Sequence, residues 1–320
     1  MTEPVPALDP VLRRAVYLTG PTASGKTATG VALAKLLDAE VIALDSMTLY
    51  RGMDIGTAKP TTEEQQGVPH HLLDRLEVWE QGSVADYRGW ALEAASQIES
   101  RGRRVLFVGG TPLYLKALIR GLFEGPAADP ALRAELEAKA QQEGGAALHA
   151  ELATIDPKTA TRLHPNDLRR VIRAIEVFRA SGQPMSHWQT AHEHQARGLA
   201  VIALQRDRSE LHERINRRVE LMFEAGFPEE LERLSASEPP IHPVPGQAVG
   251  YREGFDWLAG RQDLAETIQA IQTRTRQFAK RQDTWFRNLA EVRLWPVSGD
   301  QTPEHVATSL AGHLAQDPGF

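Results

Sequence analysis

The sequence predicts an α/β fold in which a mostly parallel sheet, covered by helices on both faces, is interrupted by an all-helical insertion. Three observations predict it. Short runs rich in β-branched residues recur, each followed by a turn and a helix-like stretch. A glycine-rich phosphate-binding pattern joins the first run to a helix, and about ninety residues between the third and fourth runs hold no convincing strand. Strands alternating with helices imply right-handed crossovers and a parallel sheet.

The runs, in order, are AVYLT at 15–19, EVIAL at 40–44, RVLFV at 104–108, AVIAL at 200–204 and VRLWPV at 292–297. Directly after the first comes GPTASGKT, which matches G-x-x-x-x-G-K-[ST], and TATGVALAKLL at 27–37 reads as the helix this pattern requires. The turn Gly20, Pro21, Thr22, Ala23, Ser24 and Gly25 would surround a phosphate with backbone N–H groups at the helix N-terminus, where the dipole also favours anions. Lys26 would then meet phosphate oxygens and the Thr27 hydroxyl a magnesium ion. The expected core is therefore P-loop NTPase-like.

The strand-free stretch opens with EGPAADP at 124–130, rich in Pro and Gly, and residues 131–196 read as wholly helical. The expected organisation is a first part of the core over 1–123, a helical insertion over 124–198, and the second part of the core over 199–320. Within the insertion, HPNDLRRVIRAIEVFRASG at 164–182 is the clearest helix. Asn166 or Asp167 can cap it, Ser181-Gly182 can end it, and Leu168, Ile172, Ile175 and Phe178 form one apolar stripe. Arg169 and Arg173 lie one turn apart on another face.

Composition narrows the function classes. The 320 residues include no cysteine, which excludes disulfides, thiolate metal sites and thiol redox chemistry. The N-terminus MTEPVPALDP lacks a signal-peptide pattern and no apolar run is long enough to cross a bilayer, so a cytoplasmic protein is expected. A net charge of −6 argues against nucleic acid on average, but local potential can differ in sign from the total.

Several residues can carry chemistry. Asp45 follows the second strand and so falls at the carboxyl edge of the sheet, where open parallel sheets bind ligands. It could be a magnesium partner or a general base; a turn aspartate is the plain alternative. The irregular LYRGMDIGTAKP at 49–60 resembles a substrate-covering loop. Thr111 in GGTPLYLKAL can cap a helix that starts with Pro112, and its hydroxyl could also bind substrate. The pair His70-His71 is not a metal site, because neighbours on a regular element point apart and no third soft ligand is near. In RDRSELHERINRRVELMFEAGF at 206–227, Leu211, Ile215, Val219 and Met222 form the core face. Arg214, Arg217 and Arg218 line another, from which an arginine could reach a diphosphate. Finally, TRTRQFAKRQDTWFRN at 273–288 interleaves Arg274, Arg276, Lys280, Arg281 and Arg287 with Phe278, Trp285 and Phe286, a pattern suited to single-stranded RNA.

With these segments together, the chain resembles the bacterial tRNA dimethylallyltransferases, also called tRNA isopentenyltransferases. The likeness runs from GPTASGKT through DS, RGMDIGTAKP, PHHLLD, GGTPLYLKAL, HPNDLRRVIRAIEV and QAVGYRE to KRQDTWFR. The resemblance implies transfer of a dimethylallyl group from dimethylallyl diphosphate to the exocyclic N6 of the adenosine 3′-adjacent to the anticodon. It implies Mg2+ as cofactor and the tRNA anticodon stem-loop as partner; no membrane partner and a monomer are expected besides. By matching positions, Thr22, Ser24, Gly25, Lys26 and Thr27 would contact diphosphate and magnesium, and Asp45 would accept the amine proton. Thr111 would contact tRNA near the reacting centre, and Arg217 would help neutralise the diphosphate, with Arg214 as the alternative. The family's tRNA-contacting stretches match Asp45, Ser46, Met47 and Thr48; Arg169, Arg170 and Arg173; Gln247, Gly250, Tyr251 and Arg252; and Lys280, Arg281, Gln282, Thr284, Trp285 and Arg287. Many relatives have glutamine where this chain has Thr48. The competing readings are an isopentenyltransferase acting on free adenine nucleotides and a P-loop small-molecule kinase.

Overall fold

A computed structural model describes residues 8–122, 125–126, 129–191 and 198–316. Six strands form one parallel sheet: β1 (Val16–Thr19), β2 (Ala39–Ala43), β3 (His70–His71), β4 (Arg104–Val108), β5 (Ala200–Gln205) and β6 (Val292–Pro296). Their spatial order is β3-β2-β4-β1-β5-β6, so β1 is central. The five expected strands are present to within one residue at each end. The sixth, β3, was not expected, because a two-residue strand leaves no periodicity to read.

Period-two alternation explains how the sheet is covered. Tyr17, Ile42, Val105, Phe107, Val201 and Ala203 face one core, with Tyr87, Ala91 and Ile98 of the helix Val84–Ser100. Val16, Leu18, Val41, Leu106, Ile202 and Leu204 face the other, with Val31 and Leu33 of the helix Lys26–Leu37 and Leu310 of the helix Pro303–Leu314. Both faces of every central strand are thus dry, as a parallel sheet requires. Each fully buried Leu, Val or Phe contributes about 1.5–3 kcal/mol of transfer free energy.

By contacts the chain divides into two units, one containing Arg120–Gln195 and the other Leu8–Ile119 with Ala196–Phe320. The first has its own core of Leu136, Leu148, Leu152, Val171, Ile172 and Ile175. Its described elements are the helices Pro130–Glu143, Gly145–Ile155, Pro157–Arg162, Leu168–Ser181 and Met185–Ala191, with no strand among them. Parts of the expected boundary at 124–130, and residues 192–196, lie outside the described residues. The helix Leu168–Ser181 ends at Gly182 with φ 68°, and Asp167 stands at its N-cap. The Asp167 side chain makes no cap bond and instead pairs with Arg170 at 3.2 Å.

Candidate active site

The carboxyl ends of β1, β4 and β2 lie side by side, and the three segments that leave them build one cavity of about 830 Å3. From β1 comes the turn 20–25. Gly20 at φ 138°, Ala23 at 63° and Gly25 at 96° give it the left-handed conformations that turn successive N–H groups inward, a concavity suited to anions. A Cβ on Gly20 would lie 2.6 Å from the Leu204 carbonyl oxygen, so the close approach to β5 requires glycine. Ala23 carries strain of about 1–2 kcal/mol, the kind found at ligand clamps. Gly25 opens the helix Lys26–Leu37.

From β2 comes Asp45. Its carboxylate accepts the Met47 N–H at 2.8 Å, which fixes its direction. Burial pushes its pKa above the ordinary carboxylate value; the Met47 and Thr48 amides, Lys26 and Arg218 oppose that shift. From β4 comes the turn 109–111, where the Thr111 hydroxyl accepts the Ser46 N–H at 3.1 Å. Thr111 thus ties the start of the Pro112–Arg120 helix to the residue after Asp45.

Four cations, Lys26, Arg214, Arg217 and Arg218, line this cavity against two carboxylates, Asp45 and Glu64. Lys26 Nζ donates to the Pro21 carbonyl at 2.7 Å, and burial pushes its pKa down to about 7. The three arginines come from the helix Arg208–Glu224, whose Leu211, Ile215, Val219 and Met222 are buried as their spacing predicts. Arg218 donates to Thr22 Oγ1 at 3.0 Å and interacts with Asp45, while burial lowers its pKa. Arg214 Nε donates to the Ala23 carbonyl at 2.9 Å, and Arg217 stands exposed at the cavity wall. The arginine closest to the cradle's interior is therefore Arg218, one position beyond the expected Arg217. The sequence pattern placed all three on one face without ranking their depth.

Thr22, Ala23, Gly25, Lys26, Thr27, Asp45, Ser46, Met47, Thr48, Thr111, Gln247, Tyr251 and Gln282 all line the cavity. Thr48, Tyr251 and Gln282 are buried parts of its wall. Tyr251 is fully buried and donates to Glu230 at 2.6 Å. Glu230 is itself 1% exposed, and it also accepts the N–H groups of Asp54 at 2.9 Å, Ile55 at 2.8 Å and Gly56 at 3.1 Å. Four donors on one buried carboxylate satisfy it without a cation. Lys59, also buried, donates to Asp54, Asp74 and the Tyr50 carbonyl. The segment 49–60 is consequently a held wall of the cavity. The sequence did carry one signal: Glu230 falls on the apolar stripe of Phe227, Leu231 and Leu234 in the helix Phe227–Ser235.

The helix Leu264–Arg287 turns Lys280, Arg281, Thr284, Trp285 and Arg287 to solvent, whereas Phe286 is core. Arg287 pairs with Asp283 at 2.8 Å, Arg274 pairs with Glu253, and Arg276 bonds Asn216 and Thr273. Arg252 is exposed and Gly250 buried at φ 96°. Within the helical unit, Arg169 and Arg170 are exposed. Arg173 is held by Glu176 at 2.6 Å and by the Pro126 carbonyl at 2.8 Å. His70 contacts the Val68 carbonyl and His71 contacts Glu40, which also binds Arg101.

A family model described as IPP transferase matches residues 48–289. The chain is 46% identical over 282 residues to tRNA dimethylallyltransferase 1 of Trichlorobacter lovleyi, covering 86% of this chain and 91% of the relative. It is 42% identical over 311 residues to the tRNA dimethylallyltransferase of Stenotrophomonas maltophilia, covering 94% and 98%. The solved tRNA isopentenylpyrophosphate transferase of Bacillus halodurans superposes with a TM-score of 0.69 at 42% identity, over 95% of this chain and 98% of that one. A solved eukaryotic dimethylallyltransferase acting on tRNA gives a TM-score of 0.80 at 26% identity, over 95% and 78%.

Proposed function

The chain belongs to the IPP transferase family and is a prenyl-transferring enzyme; from that premise we propose the donor, the acceptor atom and the residues that act on them. It transfers the dimethylallyl group of dimethylallyl diphosphate to N6 of the adenosine 3′-adjacent to the anticodon in tRNA and releases diphosphate. One observation carries the assignment of roles: the 20–25 turn, four cations and the Asp45 carboxylate line one cavity.

In the reaction the allylic C–O bond breaks, its electron pair leaves with the diphosphate, and the N6 lone pair forms the new C–N bond. Negative charge grows on the leaving group, so donors fixed around it lower the barrier most. The amides of the 20–25 turn, Lys26 and Arg218 supply that field, and the Thr22 hydroxyl holds the Arg218 guanidinium in place. Adenine's amine is a poor nucleophile, and Asp45 takes its proton as the bond forms. Burial raises the basicity of that carboxylate, and the Met47 N–H keeps it directed.

The donor set fits a magnesium ion. The Thr27 hydroxyl offers a hard oxygen ligand beside the cradle, and no group of three His, Cys, Asp or Glu able to hold a metal ion is found among the described residues. Mg2+ favours such a site, since it keeps several waters and binds through one or two protein oxygens plus phosphate. When bound, the ion neutralises diphosphate charge. The exposed Arg169, Arg170, Lys280, Arg281 and Trp285 would contact the tRNA. Their phosphate and stacking contacts offset the few kcal/mol needed to unstack the target base. No described helix is long and apolar enough to cross a membrane.

The test uses labelled dimethylallyl diphosphate and magnesium with either unmodified tRNA or AMP. Label in tRNA alone is expected. Label in AMP would replace the acceptor with a free nucleotide, and phosphate transfer from ATP without prenyl transfer would point to a kinase.

A further inference from the structure

Gln282 is 3% exposed although its neighbours Lys280, Arg281 and Thr284 face solvent, so the helix Leu264–Arg287 turns one polar side chain inward at this point. Its Oε1 accepts the Thr22 N–H at 2.8 Å, and its Nε2 donates to the Gly110 carbonyl at 2.6 Å. A primary amide presents an acceptor and a donor on one short rigid plate. The two bonds fix its orientation.

Both ends lead to reacting groups. Thr22 belongs to the anion cradle, and its hydroxyl accepts from Arg218. Gly110 precedes Thr111, whose hydroxyl accepts the N–H of Ser46, the residue after Asp45. A Cβ on Gly110 would lie 2.7 Å from Gln282 Nε2 and 3.6 Å from Lys26 Nζ, so the turn is glycine where the amide comes closest. Gln282 therefore spans the gap between the cradle of β1 and the carboxylate loop of β2, through the turn that follows β4.

We propose that Gln282 is a positioning residue that sets the separation between the diphosphate cradle and the Asp45 carboxylate, and that it is not an RNA contact. This rests on the roles assigned above. Transfer depends on that separation steeply, because a 1 Å misplacement costs about 10²-fold in rate.

The experiment is steady-state transfer by the full chain carrying Gln282→Met, which keeps length and shape and deletes both bonds, with amide exchange of Thr22 followed by NMR. The expected result is kcat lower by about 10²-fold, a KM for tRNA within about threefold of the parent, and faster exchange at Thr22. A raised KM for tRNA with unchanged kcat would make Gln282 an RNA contact and overturn the proposal. So would a lower melting temperature with unchanged kcat per folded molecule. If the methionine variant does not fold, Gln282→Glu keeps the acceptor for Thr22 and sets an oxygen against the Gly110 carbonyl; parent-like kcat there also overturns the proposal. A parent enzyme that prenylates neither tRNA nor AMP would instead refute the underlying reading.

Discussion

Replacing Asp45 by asparagine should separate chemistry from both binding and folding. Asparagine keeps an oxygen for the Met47 N–H, which the carboxylate now accepts at 2.8 Å, so the loop 45–48 keeps its path. What disappears is the capacity to take a proton from the adenine amine. A general base contributes about 10²–10⁴ in rate, equivalent to about 2.7–5.4 kcal/mol of barrier at 1.36 kcal/mol per decade. Stability should move the other way. Burial raises the Asp45 pKa, so between the ordinary value of 3.8 and the raised one the folded protein binds more protons than the unfolded chain. Stability therefore falls as pH rises through that window, and the deficit persists at neutral pH. The asparagine variant lacks this titration. Its melting temperature at pH 7 should equal or exceed the parent's, while kcat falls at least a hundredfold and tRNA affinity is retained. Label transfer and calorimetry on the same preparation give both quantities. Parent-like kcat would remove Asp45 as the base, and a large drop in melting temperature would mean that its charge stabilises the fold.

Other substitutions test neighbouring parts of the site. With Lys26 at about 7, affinity for pyrophosphate should weaken by about tenfold more in the parent than in Lys26→Met between pH 6 and pH 8, as the ammonium loses its proton; calorimetric titrations with parallel slopes would exclude Lys26 from the cradle. Arg218→Ala should depress kcat by about 10²–10³ and Arg217→Ala by less than threefold, and the opposite order in transfer kinetics would return the diphosphate role to Arg217. A Cβ on Gly109 would sit 2.1 Å from the Leu44 carbonyl oxygen, so Gly109→Ala should cost about 1–3 kcal/mol or more in urea unfolding; an unchanged midpoint would show that β2 and β4 separate freely there.

The parallel sheet was legible because β1, β2, β4 and β5 are largely buried on both faces and read as apolar runs between turn signals. The exception, β3, pairs His70 and His71 with Val41 and Ile42. Two residues carry no pattern, and what holds them is non-local: His71 meets Glu40, which also accepts from Arg101, and the three lie far apart in sequence. The loop 49–60 is held in the same non-local way. Its glycines and irregularity suggested a substrate-covering loop, and the Glu230 carboxylate, more than 170 positions away, collects three of its amides.

The same distinction explains the site. The 20–25 turn and Asp45 follow directly from strand ends, so motif and position were enough to place them at the cavity. Arginine depth was different. Arg214, Arg217 and Arg218 fall on one side of their helix at i, i+3 and i+4, and spacing alone cannot say which enters a cavity whose opposite wall is built elsewhere. That wall is Thr22, and its hydroxyl selects Arg218. Gln282 presents the converse case: its neighbours face solvent, so a helical pattern read locally groups it with them, and only the partners Thr22 and Gly110 reveal that it points inward. Residues whose placement depends on a partner from another strand end are the ones a linear reading cannot rank by depth or assign to a face, because the partner that decides it lies elsewhere in the chain.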